Sequence, residues 1–165
     1  MLAFFIITIG ILSRLIIHTP NFTPVLSMAF LSGMYLKGRK AIWIPLALMV
    51  GSDFIIGFYP GMIFTWGSMV FISLLGLALR NQKGFVSVFS GSLLSAVIFF
   101  LVSNFGAWIY FYPHTVAGLK ACYVLAIPFF RSSLVSTIGY TLAFFAGYEW
   151  LIKRAEGTKV LARLL

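Results

Sequence analysis

Acidic side chains are almost missing from this chain: of 165 residues only Asp53, Glu149 and Glu156 carry a carboxylate, and charged residues of both signs reach only 9%. A water-soluble domain of this size needs a charged outer shell, and three acids cannot contribute their share of one. Soluble enzyme classes are excluded on that ground. The single cysteine, Cys122, rules out an intramolecular disulfide and any Cys-x-x-Cys knuckle or redox motif. His18, His114 and Cys122 share no metal-ligand spacing, and the chain has no HExxH, GxSxG or phosphate-binding glycine loop. The expectation is therefore a protein without catalytic residues, cofactor or metal site.

What the chain does contain is apolar surface. Hydrophobic residues make up 61%, aromatics 18%, and the mean hydropathy is +1.05, which identifies an integral membrane protein. Twelve Lys/Arg give a net charge of +9, but they sit in short clusters between long apolar runs. That pattern is a topology signal and an attraction to anionic headgroups, so the lipid bilayer rather than nucleic acid is the expected partner.

Apolar runs bounded by charge, glycine or proline fall at about 2–17, 24–36, 41–58, 61–79, 85–104 and 131–152, each near the length that crosses ~30 Å of hydrocarbon. The fold expected is all-α, with six transmembrane helices in one domain, 1–152, and a short basic amphipathic tail, 153–165. The first run lacks a basic n-region and a small-x-small cleavage site, which reads as a retained span. Between the fifth and sixth runs, Val116, Leu119, Tyr123 and Ala126 recur at helical spacing between Pro113 and Pro128, predicting a short re-entrant or interfacial helix. With six spans, nine of the twelve basic residues fall on one side and Arg14, Lys120 and Arg131 on the other. The positive-inside rule then puts both termini in the cytoplasm.

Given that orientation, the costly polar side chains gather at the outer ends of the spans. Intramembrane ionisable and amide groups normally face a bundle interior or a wet cavity, so an outward-facing pocket is expected. Its candidate substrate-binding residues are Asn21, Asp53, Asn104 and Arg131 as polar anchors and Trp66, Trp108 and Tyr112 as an aromatic wall. Asp53 and Arg131 stand at one level, and their pairing is expected, either as a structural ion pair or as part of the site. Small-residue faces occur at Ala29 and Gly33, at Gly91, Ser95 and Ser103, and at Gly139, Ala143 and Gly147, suited to close helix packing within the chain or against a partner.

The strings Pro20-Asn21-Phe22-Thr23-Pro24, Ser52-Asp53, Ser103-Asn104-Phe105-Gly106-Ala107-Trp108, Thr115 to Leu119, Cys122-Tyr123 and Ala126 to Arg131 resemble the DUF6580 family, whose members are read as transport proteins. The likeness runs from about Arg14 to Trp150. That family is in turn similar to the S components of energy-coupling factor (ECF) transporters, small six-helix proteins that capture a vitamin or metal ion outside the cell. The resemblance implies a substrate-capture protein for a small micronutrient, vitamin-like or metal-related, in the bacterial plasma membrane. Its implied partners are a coupling subunit and ATPases. The first run departs from the AxxxA docking face common in S components, since Ala3 is followed four residues on by Ile7. Action without a shared module, or with a different partner, stays open. The alternative from another class is an envelope scaffold like the rod-shape protein MreD, which works through protein contacts.

Overall fold

The computed structural model describes residues 8, 10–15 and 21–155, and these are helical or connect helices. The elements are α1 (10–15 among the described residues), α2 (Val25–Tyr35), α3 (Lys40–Ile56), α4 (Met62–Ala78), α5 (Phe85–Phe111), α6 (Val116–Leu125) and α7 (Ile127–Ala155). Of the predicted first span, residues 8 and 10–15 are described, and of the predicted tail, residues 153–155; the remainder of both lies outside the described residues.

Turn chemistry sets the helix ends. Gly57 (φ 112°) stops α3 while its N–H bonds the Asp53 carbonyl at 2.9 Å, and Gly61 (φ 86°) opens α4; both angles are ones that glycine adopts without strain. Thr115 caps α6, its Oγ1 accepting the Gly118 N–H at 3.1 Å. Pro128 occupies the second position of α7, where a missing N–H costs little, and α6 leads into α7 through a bend of 47°. The short helix expected between the fifth and sixth runs is thus present as the first part of a bent helix pair. Two boundaries differ from the expectation: α5 runs past Asn104 to Phe111, and α7 begins at Ile127.

α2 lies at the centre, packed against α3, α4, α5 and α7. Its Phe30 and Met34 join Leu48, Met69, Ile72 and Val88 in the buried core. At the α2–α4 crossing the backbones nearly touch: a Cβ on Gly33 would lie 2.1 Å from the Ser73 carbonyl oxygen, and one on Gly76 would lie 2.1 Å from that of Phe30. Large apolar side chains cover the outside, among them Phe54 at 76% and Val86 at 77% exposure.

The helix ends sort into two faces. Arg80 donates to the Leu36 carbonyl at the end of α2, Lys83 stands over the Tyr35 ring at 4.6 Å, and the Tyr35 hydroxyl donates to Glu149 of α7 at 3.4 Å. The 36–40 and 79–84 connections and the last turns of α7 therefore share one end, the basic one. α5 has 27 residues, an 18-residue stretch of which has a mean hydropathy of 2.3, and is the one described helix long and apolar enough to cross a membrane alone; the bent pair Val116–Leu125 plus Ile127–Trp150 makes a second if counted as one span. α2 has 11 residues and α4 has 17, roughly 16 and 26 Å of helix. The all-helical expectation holds, while the count of self-sufficient spans among the described residues is one or two.

Candidate functional site

At the end opposite the basic connections the helices splay around a cavity of about 480 Å³. α5 contributes a stripe at helical spacing, Phe100, Ser103, Asn104, Ala107 and Phe111, with Phe99 beside it. α7 adds Phe129, Phe130 and Ser133; α4 adds Thr65 and Met69; α3 adds Met49 and Ile56. Asn21, Thr23 and Tyr59 come from the connections, and Arg14 comes from α1. Phe100 and Phe130 meet with ring centroids 4.7 Å apart. Asn21 holds the left-handed conformation (φ 58°), which asparagine tolerates better than most residues; its carbonyl accepts the Ser136 hydroxyl at 3.2 Å, tying the 21–24 turn to α7.

One wall carries charge. Asp53 is completely buried, with its Oδ1 2.7 Å from Nη1 of Arg14 and its Oδ2 accepting the Trp66 indole N–H at 2.7 Å. The same Arg14 nitrogen donates to Ser52 Oγ and reaches the Met49 carbonyl at 3.5 Å. A buried carboxylate is tolerable only with such a counter-ion and hydrogen-bond donor. Arg14 keeps 17% of its side chain exposed, and the exposed part faces the cavity. Tyr59 stands beside it, in the loop between α3 and α4. Burial pushes its phenol above the ordinary value and Asp53 raises it further, against the lowering effect of Thr65 and Arg14. The hydroxyl therefore stays protonated, a donor, throughout the neutral range.

The structure corrects the expected pairing of Asp53 with Arg131. Asp53 pairs with Arg14, and Arg131 is exposed on α7. The cause is register: α7 starts at Ile127 and turns Phe129, Phe130 and Ser133 to the cavity, so a residue 100° further round the helix points away. Of the candidates named from sequence, Asn21 and Asn104 line the cavity, while Asp53 and Trp66 lie behind its Arg14 wall. Trp108 does not close over Asn104. Its indole N–H donates to the Pro113 carbonyl at 3.0 Å and its ring packs on His114 and Phe105, each with centroids 5.5 Å away. Tyr112 ends α5, half-buried and outside the lining. Asn104 donates to the Phe100 carbonyl at 2.7 Å, and its own carbonyl accepts the Cys122 thiol at 3.4 Å. Among the described residues no three of His, Cys, Asp and Glu gather where they could hold a metal. Sequence reasoning missed Arg14, Tyr59, Thr23, Thr65, Phe99, Phe100 and Ser133 as site residues; for Phe100 the signal was available in the spacing Phe100, Ser103, Ala107, Phe111.

The family model DUF6580, a family of unknown function, matches residues 1–160. The chain belongs to that family. No curated protein and no solved structure matches it.

Proposed function

We propose that this chain is a membrane-embedded capture protein, a six-span bundle in the bacterial plasma membrane with both termini in the cytoplasm, which takes up a small micronutrient-like molecule from outside in the manner of an ECF S component. The observation that carries this reading is the cavity of about 480 Å³ at the end poor in basic residues, where phenylalanine rings, two asparagines and an arginine converge. That volume falls within the range of small-molecule sites, and aromatic walls combined with convergent polar side chains are a lining such sites use. The gathering of Lys37, Arg39, Lys40, Arg80, Lys83, Lys153 and Arg154 at the opposite end supports an outward-facing mouth. A coupling subunit with ATPases is the partner this reading implies.

Mass spectrometry of small molecules co-purifying with the protein in mild detergent provides the test. The expected result is a bound compound that is retained by Trp108→Ala, whose ring lies off the cavity, and depleted by Asn104→Leu, which removes a lining amide worth roughly 1–3 kcal/mol. Preparations free of any stoichiometric compound, and indifferent to Asn104→Leu in uptake assays, would overturn it.

A further inference from the structure

Resting on the capture reading, we infer that the cavity takes a small aromatic carboxylate and that Arg14 is the group that holds the carboxylate. Among the described residues Arg14 is the only charged side chain in the lining. Its contacts with Asp53, Ser52 and Met49 all converge on one nitrogen, Nη1. A guanidinium has five N–H donors in a planar fork, and beyond these contacts and the hydrogen bond to the Tyr59 side chain it keeps donors for a second acceptor.

The carboxylate of Asp53 does not cancel this. Asp53 is buried and outside the lining, so an anion in the cavity has the guanidinium nearer to it than Asp53. Coulomb attraction to the near charge exceeds repulsion from the farther one. Asp53 acts instead as a positioning residue. It is itself fixed by the Trp66 indole at 2.7 Å, and it holds Arg14 in a single orientation before any ligand arrives, which spares the ordering cost that a free arginine would incur. The protonated Tyr59 hydroxyl beside Arg14 adds a donor and no negative charge. Phe99, Phe100, Phe111, Phe129 and Phe130 line the cavity as well, an aromatic wall that suits a ring.

The test uses the full chain in lipid nanodiscs and a probe set of benzoate, nicotinate and indole-3-acetate with their matched carboxamides, read by calorimetry and thermal shift. The expectation is that at least one carboxylate binds and that its amide binds roughly tenfold or more weakly. Removing Arg14 alone would strand a buried carboxylate, so the variant is Arg14→Gln with Asp53→Asn, which takes out both charges in similar shapes. It is expected to fold and to bind acid and amide equally weakly. Trp66→Phe, which releases Asp53 Oδ2, is expected to reduce the acid-to-amide ratio several-fold with the fold intact, a change that a merely structural role would not produce. Amides binding as well as acids, or a ratio unchanged in the double variant, would overturn the carboxylate anchor and leave the capture reading standing. Silence of the whole probe set against the wild-type chain would overturn the aromatic carboxylate assignment, and the co-purification experiment then decides the capture reading by itself.

Discussion

Pro45 stands inside α3 and cannot donate an N–H to the carbonyl of Ala41, four residues earlier, so that oxygen would go unpaired in an apolar interior. Ser32 of α2 repairs the loss, its Oγ lying 2.7 Å from the Ala41 oxygen. The same hydroxyl is 2.8 Å from the Ala29 carbonyl of its own helix, but it has one proton, and Ala41 is the acceptor that lacks another donor. Ser32→Ala is expected to destabilise by about 1–3 kcal/mol, the cost of a buried unsatisfied carbonyl, and by much less in a Pro45→Ala background, where the restored N–H serves Ala41. Thermal unfolding of the four proteins in one detergent measures the coupling; equal losses in both backgrounds would refute the repair. Such pairings were not legible in the sequence, where Ser32 reads as one more small packing residue. The partner of Asp53 was hidden for a related reason. Arg14 and Arg131 stand at the same level in a linear reading, and only the register of α7, set by its start at Ile127, turns Arg131 outward.

Small residues do different work on different helices. Gly33 and Gly76 sit where α2 and α4 approach most closely, and a methyl on either would overlap a backbone carbonyl oxygen that cannot swing aside. Gly33→Ala and Gly76→Ala are each expected to cost about 1–3 kcal/mol or more, as overpacking does. Gly139 and Gly147 have nothing within 4 Å of an added Cβ, and with Ala143 they lie on the exposed face of α7. Gly139→Ala and Gly147→Ala should therefore leave the melting temperature of the isolated protein unchanged or slightly raised. A loss at Gly139 equal to that at Gly33 would show that the α7 face is covered in the purified protein. The sequence pattern marked all three small-residue faces but could not tell which turn inward, because spacing defines a face and not its neighbour. Helix positions were more legible. Charge, glycine and proline bracket α2, α3 and α4 to within one or two residues of the predicted runs. The extension of α5 was missed because Ser103-Asn104 reads as a polar stop, although an amide that bonds the carbonyl four residues back does not interrupt a helix. Pro113, two residues past Phe111, is the stop that follows its end.

The exposed apolar belt and the charge distribution of the molecule act together. Phe54, Ile63, Phe71 and Val86 are all more than half exposed, a surface that water would drive to aggregate and lipid tails would cover. Above and below that belt the two ends differ. Arg80 and Lys83 meet the end of α2, where the Tyr35 hydroxyl donates to Glu149, while the far end holds the cavity, with Arg14 the single lining cation among the described residues. Moving a positive charge across a membrane potential costs roughly 2.3 kcal/mol per 100 mV, so under the proposed six-span reading the seven described basic residues of the 36–40 and 79–84 connections and the end of α7 favour one orientation. With Cys122 replaced by serine, Gln82→Cys and Phe58→Cys place thiols at exposed positions on the two opposite ends. A membrane-impermeant maleimide added to whole cells is expected to label Phe58→Cys directly and to reach Gln82→Cys only after the cells are opened. The reverse pattern would put the cavity mouth in the cytoplasm. Capture from outside would then be untenable, however well the protein bound a ligand. Labelling of both sites from outside would mean that the 79–84 connection does not lie across the membrane from the 57–61 loop. The bundle would in that case rest on the bilayer by its apolar belt with α4 uncrossed, an arrangement consistent with the roughly 26 Å length of that helix.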